Sequence, residues 1–263
     1  MAIKADSHYL DILLDPIKVC LDYRPKFGTS DTEGVSFNEF VNIFSSDTLY
    51  DALGLANRYV YAAHKASGGL TSFYRQLGIG CERVIREIII DSFNVLPSKA
   101  VWSYQIVNEE GRSQTLSLDA CIRYSDIASK NFTLLKGWID RQSKRVGLDT
   151  VPNLGVVFEV RQGYKSADSK RQNADLRSSR KARESGLLFV MLIVSSQISS
   201  VVAQRYIASG IPVITADGNS DLESTLFFLK DILGFDFTEF LARNKVVIAE
   251  TTNAVVKSLL TPD

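Results

Sequence analysis

Residues 154–183 read LGVVFEVRQGYKSADSKRQNADLRSSRKAR, an apolar run followed by a polar, basic one. An apolar run, Val156-Val157-Phe158, is interrupted by a single acid, Glu159, before Val160 and Arg161. β-Branched and aromatic residues bounded by Gly155 and by Gln162-Gly163 make 155–161 a strand. Strand side chains alternate between faces, so Glu159 and Arg161 share one face while Phe158 and Val160 point into the opposite layer. A charge set among apolar neighbours needs a partner, and an isolated Glu-x-Arg is ordinarily an ion pair at a sheet edge. The basic run downstream shifts the balance. Between residues 165 and 183 there are seven cations, Lys165, Lys170, Arg171, Arg177, Arg180, Lys181 and Arg183, against Asp168 and Asp175. An acid beside a run of cations suits a place where a metal ion meets a polyanion.

After residue 154 the pattern alternates: strand 155–161, a polar helix over 167–184, strand 187–195, helix 199–208 and strand 211–215. Strand–helix alternation predicts a mixed or parallel sheet with helices on its faces. A helix over 221–233, a short helix over 238–242 and a last strand at 246–249 complete the chain. Upstream, 101–107 and 115–124 are β-rich stretches around Asn108-Glu109-Glu110-Gly111-Arg112, which predicts a hairpin, and a helix covers 132–146. Before residue 100 the periodicity is helical: residues 47–65 and 71–93 carry apolar residues at three and four residue spacing, divided by the breaker Ser67-Gly68-Gly69. The expected architecture is α/β, a mixed central sheet flanked by helices, with a helical N-terminal region over 1–98 and a compact core over 99–263.

Composition sets the class. The 263 residues include 30 Lys and Arg against 30 Asp and Glu, with 45% hydrophobic and 10% aromatic residues, which excludes a disordered chain and one uniformly coated in basic charge. The longest apolar runs, 187–194 and 211–214, fall far short of the roughly 20 residues needed to span a bilayer. Asp6, Asp11 and Asp15 interrupt the N-terminal apolar residues, so no signal peptide is expected. Cys20, Cys81 and Cys121 are an odd, widely spaced set, which predicts neither a disulfide framework nor a zinc site and fits a reducing cytoplasm.

A strand-borne acid, one residue, a basic residue, then a helix rich in Lys, Arg, Gln and Asn and an apolar strand resembles the second half of the PD-(D/E)XK nuclease core. The phrase EVRQGYKSADSKRQNAD is similar to type II restriction endonucleases in particular, and the resemblance covers about residues 115–215. It implies a restriction-endonuclease-like core and Mg²⁺-dependent hydrolysis of phosphodiester bonds at a short, specific sequence in double-stranded DNA, leaving 5′-phosphate and 3′-hydroxyl ends. It also implies a prokaryotic cytoplasmic protein without a nucleotide cofactor. Because palindromic DNA has a twofold axis, a homodimer with one site per strand is the expected assembly, with the apolar helices at 47–93 as a contact surface.

In that family two acids hold Mg²⁺, and a Lys two residues after the second acid activates or orients the attacking water. Glu159 matches the second acid. Arg161 stands where Lys is expected, and an arginine remains protonated near neutral pH, so it holds charge but cannot act as a general base. Lys165, four residues on, is the candidate for the missing ammonium, and the two share the role. A rival frame, Asp168-Ser169-Lys170, falls at a helix start capped by Ser166. For the first acid, Asp119 lies within the alternating Thr115–Ile122 stretch, and Asp149 stands ten residues before Glu159. Asp119 is preferred because a carboxylate in a strand needs a reason to be there. Lys170, Arg171 and Arg177 are candidate phosphate contacts, Gln172 and Asn173 offer amides suited to base edges, and Arg112 with Gln114 at the hairpin reaches a groove.

Other signals fail. Placing Gly34 at the sixth position of a calcium loop puts Phe40 at the twelfth, where an acid belongs. No glycine cluster makes a nucleotide-binding element, and His8 and His64 have no nucleophile at a known spacing. Two further readings stay open: a DNA-binding protein on a nuclease scaffold that has lost catalysis, motivated by Arg161, and an α/β small-molecule enzyme or interaction domain whose basic helix is surface.

Overall fold

The computed structural model describes residues 4–28, 33–107, 111–164 and 169–262. In chain order the helices are α1 (Asp6–Lys18), α2 (Phe37–Ser46), α3 (Thr48–Ala52), α4 (Arg58–Phe93), α5 (Ser129–Arg145), α6 (Ser169–Glu184), α7 (Ser200–Ala208), α8 (Thr225–Phe227), α9 (Phe237–Arg243) and α10 (Lys245–Leu260). The strands are β1 (Trp102–Val107), β2 (Ser113–Leu118), β3 (Ala120–Arg123), β4 (Gly155–Arg161), β5 (Leu187–Ile193) and β6 (Val213–Ile214). The chain divides into two compact units, residues 1–9 with 81–242 and residues 10–80 with 243–263.

In the first unit, β1 and β2 form the expected antiparallel hairpin, and β3-β4-β5-β6 form a mixed sheet. The β3/β4 pair is antiparallel, whereas β4/β5 and β5/β6 are parallel. All seven residues of β5 are buried, as expected for a parallel strand covered on both faces. Alternation divides the core. Val157 joins Phe189, Met191, Tyr206 and Ala182 on the side of α6 and α7. Phe158 turns to the other side, where its ring lies 5.4 Å from Phe228 and 6.3 Å from Trp138 of α5.

The stretch expected as one strand over 115–124 is two. The chain leaves the hairpin at Leu118 and enters the sheet at Ala120, with Asp119 at the joint. The Asp119 N–H donates to the Phe158 carbonyl at 3.1 Å, and its carboxylate Oδ2 accepts from the Val160 N–H at 2.8 Å. A side-chain oxygen thus takes a backbone donor at the point where the strand changes partners. The helix expected over 221–233 is also shorter: α8 passes into a π-helical turn over Phe228–Ile232.

The second unit corrects three expectations. Ser67-Gly68-Gly69 does not break a helix, because α4 runs through it for 36 residues. A Cβ on Gly68 would overlap the Tyr23 hydroxyl, and one on Gly69 would overlap Leu259 of α10. These glycines make room for close approach, and Gly80 does the same where the Leu13 carbonyl packs on the helix. In place of a helix over 47–65, α3 ends at Ala52 and a new helix starts at Arg58. Asp47 caps α3 by accepting from the Leu49 and Tyr50 N–H groups, both at 2.9 Å. Residues 246–249, expected as a strand, lie in α10. Their β-branched residues favour a strand locally, but Val246 and Val247 are exposed, and the buried Val255 and Leu259 further along the same helix stand at helical spacing, so packing of the whole helix overrides propensity.

The Thr29–Phe40 calcium-loop frame ends in a capped helix start. The Ser36 N–H donates to Glu39 Oε2 at 2.8 Å, and the Glu39 N–H returns to Ser36 Oγ at 3.4 Å. Residues 29–32 lie outside the described residues. No helix among the described residues is long and apolar enough to cross a membrane.

Candidate functional site

Every group of the site belongs to the first unit. Period 2 along β4 puts Glu159 and Arg161 on the face that α6 covers, and the two side chains pair, with Arg161 Nη2 2.5 Å from Glu159 Oε1. The same guanidinium nitrogen lies 3.3 Å from Asp175 Oδ1, contributed by α6. Glu159 and Arg161 keep 13% and 14% side-chain exposure, so the pair is largely buried yet open to solvent at one edge. Asp119 reaches the centre from the β2/β3 joint. Its bonds to Phe158 and Val160 are made to the two residues that flank Glu159, which sets the acids of two chain segments side by side.

Helix α4 adds two groups that sequence reasoning missed. Arg86 donates through Nε to the Asp119 carbonyl. Glu82, one turn earlier on the same helix face, feels the charges of Asp119, Arg161 and Arg86. Asp175 is anchored on its far side. The Tyr206 hydroxyl of α7 donates to Asp175 Oδ2 at 2.6 Å and lies 3.1 Å from the hydroxyl of Tyr164. Both tyrosines are buried, and their rings meet edge-on with centroids 6.0 Å apart.

The electrostatics stem from burial of like charges. Burial pushes the Glu159 carboxyl up to about 8; Arg161 opposes that, and Asp119, Asp175 and Glu82 add to it. Burial likewise raises Asp119, against the Val160 N–H and Arg161, and lifts Glu82 to about 7 with Asp119 adding to the shift. Burial works to lower Arg161, but Glu159, Asp175 and Asp119 outweigh it and hold the guanidinium charged. If all four acids are ionised, Glu82, Asp119, Glu159 and Asp175 carry four negative charges against the three positive charges of Arg86, Arg161 and, acting on Glu82 from α6, Arg171. The acids outnumber the cations, and the donors are all hard oxygens, which suit Mg²⁺. Such an ion commonly takes only one or two carboxylates and fills its remaining positions with water and phosphate oxygens.

The remaining residues expected at the site are more widely spread. Asp149 sits in the loop after α5, which lines a cavity of about 900 Å³ together with residues 183–186 and 208–210. That loop leads into the start of β4, so Asp149 lies at the strand's opposite end, with Glu159 roughly 13 Å of strand beyond Gly155. Lys165, Ser166 and Asp168 lie outside the described residues. Lys170, Arg171, Asn173 and Arg177 are exposed on α6, and Arg171 stands over the Tyr164 ring, 5.9 Å from its centroid. Gln172 departs from the expected role, because it is buried and its amide oxygen accepts from Arg205 of α7 at 2.6 Å. Asn173 accepts from the other arm of Arg205 at 2.8 Å, so the two amides tie α6 to α7 through their oxygens. Arg112 is exposed at the foot of the hairpin tip, and residues 108–110 lie outside the described residues.

His8 does have company. Among the described residues, His8, Glu87 and Asp91 are the one trio of metal-ligand types whose ligand atoms all lie within 4.8 Å of one another. Lys4 is already among them, paired with Glu87 and 3.1 Å from Asp91, so an ammonium satisfies these acids.

Comparison with protein-family models, with curated proteins and with solved structures finds no match.

Proposed function

We propose that this protein is a Mg²⁺-dependent endodeoxyribonuclease of the type II restriction class, cutting double-stranded DNA at a short specific sequence. The reading is carried by the convergence of Asp119 and Glu159, delivered from separate segments onto neighbouring positions of one sheet, in surroundings that make their joint ionisation costly. A cation between them relieves that cost. Held there, Mg²⁺ would supply a Lewis acid that polarises the phosphate and acidifies a bound water. Glu159 and Asp119 are the residues to hold it, with Glu82 at the margin.

Arg161 stays charged, so it serves as a fixed positive group beside the developing phosphorane charge and takes no proton from water. Lys165 is the candidate ammonium for orienting the attacking water, because Arg161 cannot give up a proton. Lys170, Arg171 and Arg177 on the outer side of α6 contact backbone phosphates, and Arg112 meets the duplex from the hairpin. A homodimer that sets one centre on each strand belongs to this reading.

One observation favours a second reading. Arg161 already closes on Glu159, an arrangement that serves a DNA-binding scaffold without catalysis equally well. Incubation of plasmid DNA with Mg²⁺ or with EDTA separates the two. Discrete fragments that require Mg²⁺ support the nuclease, whereas tight duplex binding without any nicking removes it. Failure to bind duplex DNA even at low salt removes both and leaves an α/β enzyme or interaction domain.

A further inference from the structure

A guanidinium buried beside two acids occupies the charge that an incoming cation would bring. Arg161 Nη2 is shared between Glu159, on its own strand, and Asp175, on α6. Arg161 Nε is buried and has no hydrogen-bond partner among the described residues, so the side chain holds an unused donor. Asp175 is 7% exposed and cannot follow Arg161, because Tyr206 binds its second oxygen at 2.6 Å and Tyr206 is itself fully buried. Glu159 has no such second anchor from α7.

We propose that Asp175 is a positioning residue, which keeps Arg161 paired when Glu159 turns to a divalent cation. This deepens the metal-centre reading and rests on it. Removing one partner of a buried ion pair is costly because the other charge is left uncompensated. A guanidinium with two anionic partners escapes that cost: it gives up Glu159, keeps Asp175, and has its idle Nε–H available to strengthen the remaining pair. Without Asp175, Glu159 accepts the cation only by leaving Arg161 with no directly paired carboxylate, since Asp119 acts on it without pairing and is itself committed to the ion. Asp175 therefore acts through Arg161 and not as a ligand.

The test is Mn²⁺ binding to the full chain without DNA, read by electron paramagnetic resonance of the free ion. Wild type, Asp175→Asn, Asp175→Asn with Arg161→Met, and Tyr206→Phe are compared, each checked for folding by circular dichroism. Asp175→Asn is expected to weaken Mn²⁺ binding about tenfold, within the range for groups that support metal ligands. Adding Arg161→Met is expected to restore binding to within about twofold, because the stranded charge is gone. Tyr206→Phe is expected to shift binding the same way by roughly threefold, and it carries the test if Asp175→Asn does not fold.

Unchanged binding in Asp175→Asn, or in Tyr206→Phe where that variant carries the test, overturns the proposal. So does a double variant no better than Asp175→Asn, which would make Asp175 a ligand. Wild type that binds no Mn²⁺ overturns the metal-centre reading together with this one, whereas wild type that binds while the variants match it overturns this one alone.

Discussion

Two clusters in the same unit are built from nearly the same groups and behave in opposite ways. Around Lys4, the acids Glu87 and Asp91 meet an ammonium, His8 and the Tyr9 hydroxyl, which donates to Asp91 at 2.8 Å. Burial works to raise Glu87, but hydrogen bonds from Lys4 and His8 win and hold its carboxyl below the usual range. Around Arg161, burial wins and Glu159 is driven up to about 8. The difference lies in exposure and in the number of acids per cation. Lys4 is 42% exposed, whereas Arg161 is 14% exposed and has three carboxylates acting on it. Acid–base composition therefore does not distinguish a satisfied surface cluster from a charge-deficient centre. Burial does.

The largest effect expected from this contrast is on chemistry. Glu159→Gln should lower Mg²⁺-dependent DNA cleavage by roughly 10³-fold or more, measured as nicking of supercoiled plasmid. Glu87→Gln should leave it within about twofold, since that acid lies outside the machinery. Equal losses from both variants would erase the distinction between the clusters.

Arg161→Met strands buried acids and should cost about 3 kcal/mol in urea unfolding, whereas Lys4→Met should cost about 1 kcal/mol or less.

pH sharpens the contrast further. A carboxyl raised in the folded state binds its proton more tightly there, so Glu159 contributes stability that is complete below its unfolded value near 4.5 and is lost as pH rises through about 8. Glu82 does the same up to about 7. Glu87, lowered in the folded state, contributes in the opposite sense, with stability lost as pH falls through its folded value. The melting temperature without metal should therefore drop by roughly 5 °C between pH 5 and pH 8, and Glu159→Gln should flatten that slope. Millimolar Mg²⁺ should restore the loss in wild type only.

The smallest expected effect concerns the basic helix. Arg177→Ala should weaken duplex binding by about tenfold at low salt and reduce the salt-dependence slope by about one, without altering either pH profile.

Legibility in the sequence tracks distance along the chain. Strand β4 is found at the residues expected of it, and α6 starts within two residues of its expected position, because apolar alternation and a polar run are local signals. The hairpin partners β1 and β2 are legible for the same reason. Local pattern places Asp119 within one strand; that it sits where the chain passes from hairpin to sheet depends on pairing with β4 forty residues away. Glu82 and Arg86 carry a usable signal, two charges one turn apart among buried Ile85, Ile88 and Ile89, but nothing local says which strand they face. Gln172 misleads because a polar residue in a basic helix looks exposed until Arg205 is known to lie against it.

By itself the sequence determined that an acid and an arginine share one face of a buried strand, and that a cationic helix comes after it, since both depend on the two- and 3.6-residue periods of the backbone. Only the tertiary structure decided that Asp119 and Asp175 gather on that arginine with Glu82 beside them, that glycines inside α4 admit neighbours instead of ending the helix, and that residues 246–249 are helical instead of pairing. Those outcomes turn on which surfaces exclude water together, and burial is a property of the whole fold that no single stretch of chain contains.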